Sequence, residues 1–334
     1  MAVKVSVDAM GGDNAPKEIV KGAVKAVNEI NNLEVILVGK EELVNAELQK
    51  YEYSKDKLKV VNATEVIGFN EAPAVAVKSK RDSSIVVGMK MVRTGEADAF
   101  VSAGSTGAIL VGGLAYIGRI KGIERTPLAT LIPTEKGASL LIDCGANVDA
   151  RPSHLVQFAK MGSLYMENLC NIKNPKVGIV NIGTEEEKGN ALVKETFPLL
   201  KECKSINFAG SCEARDIPKG DFDVIVCEGF VGNVILKLYE GLAKTLVKKI
   251  KAGLMSTTIS KIGALLSKKA IKNTMKSFDV SEYGGAPLLG LKGLAVKTHG
   301  SSTHIEIYNS IKQCVTFTEN DINGKIKDFL SNEM

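Results

Sequence analysis

Val3-Lys-Val-Ser-Val-Asp-Ala-Met-Gly-Gly-Asp13 decides how this chain reads. Residues 3–7 form a short valine-rich run, the pattern of a buried strand. Residues 8–13 are a glycine turn with an aspartate at each end. Asn14 and Pro16 then open a helical stretch, Asn14 as a cap and Pro16 in the first turn. Strand, glycine turn, helix is the order in which α/β proteins place ligands at the carboxyl ends of strands. The helix start offers free N–H groups to an anion. The pattern recurs at Ser102-Ala-Gly-Ser-Thr-Gly107, Asp143-Cys-Gly-Ala-Asn147, Asn181-Ile-Gly-Thr-Glu185, Glu228-Gly-Phe-Val-Gly-Asn233 and His299-Gly-Ser-Ser302. Turns spread so widely predict one crevice assembled from the whole chain.

Outward from the turns, strand-like and helix-like segments alternate. Strands are expected at Val3–Val7, Glu34–Val38, Leu58–Val61, Ala97–Val101, Ser139–Asp143, Lys176–Asn181, Ser205–Phe208, Asp223–Cys227 and Leu294–Thr298. Helices are expected over 16–31, 41–50, 83–94, 106–118, 153–170, 189–202, 231–251 and 304–319. Such alternation predicts an α/β fold with a mostly parallel, doubly wound sheet in three α/β/α layers. The strands lack polar alternation, as buried central strands do. No repeat or low-complexity linker interrupts the chain. The glycine turns straddle every midpoint, so residues 1–334 are expected to form a single α/β domain.

Composition narrows the function classes. Of 334 residues 45% are hydrophobic and 24% charged, the profile of a globular enzyme. Tryptophan is absent and aromatics are 5%, which disfavours stacking on nucleic acid. Six cysteines show no C-x-x-C pair and histidines number three, poor material for a zinc site. They are expected to be buried or neutral thiols in a reducing cytoplasm. No leader pattern precedes the Val3 strand, and no apolar run reaches the ~20 residues of a membrane span.

Each turn carries a functional reading beside a plain structural one. The first matches neither G-x-G-x-x-G nor G-x-x-x-x-G-K-[ST], so a dinucleotide is disfavoured. Asp8 reads as a turn anchor, and Asp13 as a substrate-binding candidate. Ser102, Gly104, Ser105, Thr106 and Gly107 suit a small tetrahedral anion at a helix start, although Ser105 or Thr106 also reads as a simple cap. Lys188, beside Thr184, offers a point charge to phosphate or is a solvated lysine. Asn233, after Gly232, is placed to donate to an oxyanion or to cap its helix. His299 shares its turn with Ser301 and Ser302; His154 has the weaker case. Asn147 is a further binding candidate. Hydroxyls, amides, N–H groups and a few lysines suit acyl or phosphoryl transfer.

One segment differs. From Gly241 to Phe278 there is no Asp or Glu, while nine lysines occur. Leu254, Met255, Ile259, Ile262, Leu265 and Leu266 fall within one arc of a helix turning ~100° per residue. A basic helix with an apolar face reads as membrane-interfacial, or as a face packed on the core or a dimer partner. The segment 241–280 is expected to protrude as helix.

These turns, in this order, resemble the phosphate acyltransferase family (PlsX), the acyl-acyl-carrier-protein:phosphate acyltransferases. The motifs that carry the resemblance are Val7–Asp13, Ser102–Ala108, Asp143–Asp149, Gly183–Asn190, Gly229–Val234, Tyr283-Gly-Gly285 and His299–Ser302. The resemblance implies a fold like that of isocitrate and isopropylmalate dehydrogenases and phosphotransacetylase. It implies a homodimer with no metal and no cofactor. It implies transfer of a fatty acyl group from acyl carrier protein to inorganic phosphate. The acyl phosphate product then feeds a membrane acyltransferase in phospholipid synthesis. It also implies a cytoplasmic protein peripherally bound to the inner, anionic membrane face. Lys188, Asn233 and His299 take catalytic roles in this reading, phosphate attacking the thioester directly. Two rivals stand beside it: a decarboxylating dehydrogenase of the same fold and a non-catalytic membrane adaptor.

Overall fold

Eleven strands are seen in a computed structural model, which describes residues 2–277 and 284–331. They are β1 (Val3–Asp8), β2 (Leu33–Gly39), β3 (Leu58–Asn62), β4 (Ala99–Ser102), β5 (Ala129–Thr134), β6 (Gly137–Ile142), β7 (Lys176–Asn181), β8 (Asn207–Glu213), β9 (Val224–Val226), β10 (Ala286–Pro287) and β11 (Leu294–Lys297). The helices are α1 (Lys17–Glu29), α2 (Glu41–Leu48), α3 (Pro73–Ser79), α4 (Ser84–Thr94), α5 (Thr106–Gly112), α6 (Pro152–Leu169), α7 (Ala191–Glu202), α8 (Gly229–Leu254), α9 (Thr258–Leu266), α10 (Lys268–Ser277), α11 (His304–Glu319) and α12 (Ile322–Ser331).

The chain forms two compact units rather than showing one undivided domain. The first takes its described residues from Met1–Thr130, Lys160–Asn174 and Ser281–Met334, the second from Leu131–Ala159 and Pro175–Val280. The chain leaves the first unit and returns to it twice. No single cut of the sequence separates the units, which is why a linear reading saw none.

The first unit holds a six-stranded sheet in the order β10-β11-β4-β1-β2-β3. All neighbours are parallel except β10 with β11. The chain winds outward through β2 and β3, then returns to the far side of β1 as β4. The strand order therefore reverses between β1 and β4, the position where open α/β sheets bind ligands. Both sheet faces are covered. Ser6 Oγ donates to the Gly88 carbonyl of α4 at 3.1 Å, while Val5 and Val7, pointing the other way, are fully buried.

The second unit holds a five-stranded sheet, β5-β6-β9-β7-β8. Strands β6, β9, β7 and β8 run parallel. From β7 the chain goes out to β8 and back to β9 on the other side of β7. This sheet too has a reversal point, between β7 and β9.

The strands read from sequence are all present, β7 with the expected ends and the others with shifted ones. The sequence missed β5, where Pro133 inside the strand and Pro127 just before it obscure a strand pattern, and the two-residue β10. Asn14 is not a cap: Pro16 holds that position, and Asn14 Nδ2 donates to the Ser301 and Ser302 carbonyls at 3.1 and 3.2 Å.

The lysine-rich segment is helical but not one helix. Helix α8 ends at Leu254, Met255 caps it, and Thr257 starts α9 by accepting from Ser260 N. The single arc is therefore shared between two helices. Leu254 is half-buried, whereas Met255, Ile259, Ile262, Leu265 and Leu266 are exposed, Ile259 by 84% and Leu266 by 82%. No residue of α9 is buried. Residues 278–280 of this segment, and Tyr283, lie outside the described residues.

Candidate active site

Three turns gather at the reversal point of the first sheet. Asp8, at the end of β1, is fully buried and accepts from Ser102 Oγ, at the end of β4, at 2.6 Å. Gly104 N donates to Ser102 Oγ at 2.9 Å, and Met10 N to Asp8 Oδ1 at 3.1 Å. Burial pushes the Asp8 carboxyl up from 3.8, against the pull of these donors. Asp8 thus ties two turns together, the anchoring role read from sequence. Gly11 permits the tie: a Cβ there would stand 2.3 Å from Asp8 Oδ2. Gly12, at φ +98°, would bring a Cβ within 2.9 Å of the Gly300 carbonyl. The Asp13 N–H donates to that same carbonyl at 2.8 Å, which joins the third turn to the first.

Within this cluster, Ser105 caps α5 by accepting from Ala108 N at 3.4 Å, and Thr106 is exposed at the helix start. Gly107 lies against Pro73, where a Cβ would come within 2.5 Å of Pro73 Cγ. It serves packing. His299 is exposed, and its Nδ1 accepts the Ser301 N–H at 3.2 Å, with Ser301 Oγ at 2.8 Å. Since an N–H only donates, the neutral ring carries its proton on Nε2. The sequence reading missed Thr298. Its Oγ1 and Ser302 Oγ are buried hydroxyls with no hydrogen-bond partner among the described residues. Buried hydroxyls are ordinarily paired, so two orphans in one turn ask for a ligand.

The second unit gathers the other three turns at the ends of β6, β7 and β9. Asp143 is fully buried and takes four donors: Gly145 N, Ala146 N, Asn147 N and Asn147 Nδ2, at 2.7 to 3.1 Å. Asn147 also gives its carbonyl to Gly229 N at 2.7 Å, so it holds the turn and the start of α8 together. Gly232 shares that work: a Cβ there would lie 1.8 Å from the Asp143 carbonyl. Glu228 caps α8 by accepting from Phe230 N and Val231 N. The first N–H groups of α8 are therefore taken by protein acceptors. Asn233 is exposed in that first turn, its Oδ1 3.6 Å from where a Gly145 Cβ would be.

Lys188 is half-exposed and pairs with Glu185 Oε1 at 2.8 Å. This lowers the Glu185 carboxyl below its ordinary 4.5. The sequence placed three glutamates around Lys188 but did not assign this pairing. Thr184 is exposed beside it. Asn181 is buried and supports the same turn, donating to the Lys188 carbonyl and Ser211 Oγ, each at 3.1 Å.

Other candidates are structural. His154 is buried, and its Nδ1 accepts Arg151 N at 3.0 Å. Cys144 is buried with Sγ on the Leu141 carbonyl. Burial raises the thiols of Cys170 to about 11 and Cys212 to about 12, and pushes Cys227 and Cys314 up as well. Among the described residues no three His, Cys, Asp or Glu side chains are grouped to hold a metal, and no helix is long and apolar enough to cross a membrane.

The family profile described as "Fatty acid synthesis protein" matches residues 3–325. The chain belongs to this family. A relative from Clostridium novyi (strain NT), named phosphate acyltransferase, is 50% identical over 99% of this chain and 100% of its own length. The fold is shared more widely. A phosphotransacetylase from Streptococcus pyogenes is 18% identical, covers 95% of this chain and 94% of its own, and has a TM-score of 0.65. A 4-hydroxythreonine-4-phosphate dehydrogenase from Klebsiella pneumoniae is 13% identical, with a TM-score of 0.51 over 94% of this chain and 98% of its own. The doubly wound fold of this fatty acid synthesis family member is thus one that phosphotransacylases and dehydrogenases have in common.

Proposed function

We propose that this protein transfers a fatty acyl group from acyl carrier protein to inorganic phosphate, giving an acyl phosphate for phospholipid synthesis. The observation that carries this is the 50% identity, over nearly the full length, with a chain named phosphate acyltransferase. The first sheet's reversal point supports it, since N–H groups and unpartnered buried hydroxyls suit phosphate. In this reading Ser102–Gly107 and His299–Ser302 hold the phosphate, and Thr298 and Ser302 spend their orphan hydroxyls on it. Lys188, paired with Glu185 at rest, is a catalytic candidate that the second unit contributes. Asn233 polarises the thioester carbonyl.

A phosphate oxygen attacks the carbonyl carbon and the C–S bond breaks. The proton of the hydrogen phosphate ends on the carrier thiol, so no covalent enzyme intermediate is required. His299, protonated on Nε2, suits the phosphate end of that transfer.

The basic segment fits the setting. Carrier proteins are acidic and cytoplasmic leaflets anionic, and each attracts lysines. The exposed apolar side chains of α9 are suited to an interfacial membrane contact, and the ridge of Leu238, Leu242 and Leu246 on α8 to a homodimer contact. The protein then works at the inner membrane face, beside the integral acyltransferase that consumes its product. The test is release of free carrier protein from acyl-carrier protein with acyl phosphate as product. Release that does not depend on phosphate sinks the proposal.

A further inference from the structure

A cavity of ≈ 490 Å³ opens at the reversal point of the second sheet. Its wall takes Ile179 and Ile182 from the end of β7, Leu192 and Val193 from α7, Leu155 from α6 and Val231 from α8. We propose that this cavity receives the hydrocarbon chain of the acyl group, a role that rests on the acyl-transfer reading above.

Open α/β sheets bind ligands where the strand order reverses, and β7 and β9 reverse here. The cavity also borders both turns that carry this unit's reactive candidates. Gly189, next to Lys188, lines it, as does Val231, two residues before Asn233.

Polar side chains on the wall are committed elsewhere. Asn181 bonds the Lys188 carbonyl, Ser211 Oγ and Ile182 N. Asn190 caps α7 through Val193 N at 2.9 Å, and Glu228 caps α8. Arg215 pairs with Glu213 at 3.2 Å. A ligand that drew hydrogen bonds from Asn190 or Glu228 would have to break a helix cap to obtain them. An alkyl chain demands none, and it is stabilised by every methylene it removes from water. The volume lies in the ordinary range for small-molecule sites, roughly 300–1,000 Å³.

Filling the cavity from its rim tests the assignment without touching the buried core. Leu192 is half-buried and Ala214, also on the wall, is exposed. The probes are palmitoyl- and butyryl-carrier protein for turnover and cis-parinaric acid for direct binding. Leu192→Trp and Ala214→Trp are expected to lower kcat/KM for the palmitoyl thioester on the order of tenfold. The butyryl thioester should stay within about twofold, since it barely reaches the cavity, and parinarate binding should weaken in step with palmitoyl turnover. Unaltered melting temperatures show that the variants fold. An equal fall for both thioesters, or parinarate binding that neither substitution weakens, overturns the assignment. A parent protein that shows no phosphate-dependent release sinks acyl transfer instead, and parinarate binding still reports on the cavity. Normal release with unchanged chain-length preference in both variants sinks the cavity alone.

Discussion

Ser102 Oγ donates to Asp8 Oδ2 at 2.6 Å, joining the ends of β4 and β1 at the point where the strand order reverses. Ser102 in turn accepts the Gly104 N–H, so one short relay fixes the turn, the strand end and the buried carboxyl together. The bond makes the geometry of the proposed phosphate turn depend on a residue that need not touch phosphate.

Ser102→Ala removes the donor to a fully buried carboxyl and the acceptor of a buried N–H. Stranding such groups costs about 1–3 kcal/mol. Urea unfolding should show that loss. Because the turn loosens, KM for phosphate should rise more than kcat falls. A variant with parental stability and parental KM would show that the relay fixes nothing.

Gly232→Ala tests the packing of α8 on the Asp143 turn. The added methyl would sit 1.8 Å from a backbone carbonyl, and no side chain can yield to relieve it. A destabilisation at the upper end of the usual overpacking range, about 3 kcal/mol, is expected by thermal or chemical unfolding. Gly241→Ala, where a Cβ meets nothing within 4 Å, is the matched control and should not destabilise.

The pair Glu18 and His304 gives a pH dependence. The His304 backbone N–H and then its ring, each at 2.8 Å from Glu18 Oε2, hold the carboxyl below its ordinary 4.5. A lowered folded pKa adds stability above the unfolded value and loses it as pH falls through the folded one. Glu18→Gln should therefore cost about 1 kcal/mol at neutral pH. Parent and variant should converge as pH drops below 4.5. Curves that stay parallel across that window would mean that the pair does not shift Glu18.

Lys188→Ala should lower turnover about 10²-fold, the scale of one lost transition-state contact. Glu185→Gln, which frees the lysine from its partner, should lower KM for phosphate. A folded Lys188→Ala protein with near-parental turnover removes Lys188 from the mechanism.

Ile259→Glu with Leu266→Glu places two carboxylates on the exposed face of α9. Co-sedimentation with anionic liposomes should be lost while turnover in solution persists. Undiminished co-sedimentation would end the membrane role of α9.

Much of this was legible along the chain. Valine-rich runs announced the parallel strands, because a strand buried on both faces has no polar alternation to show. The glycine turns announced the ends of those strands, since backbones pack there more closely than a Cβ allows. What the roles within a turn would be was not legible. Asn147, Gly107 and Gly232 read as binding candidates, and the bond or packing contact that each makes within the protein had no signal of its own. Asn14 looks like a cap and instead brackets a turn almost three hundred residues away. A hydroxyl or amide has the same sequence signature whether its partner is a ligand or a carbonyl.

By itself, the sequence determined the fold class, the glycine turns at the strand ends, and the family, all of which are local patterns in a fixed order. Only the tertiary structure decided that these turns form two sets, one in each unit, at two strand reversals. It alone paired Lys188 with Glu185, orphaned Thr298 and Ser302, and opened a cavity beside β7. Those outcomes depend on strand order and on contacts between residues far apart in the chain, and neither periodicity nor spacing encodes which strands become neighbours.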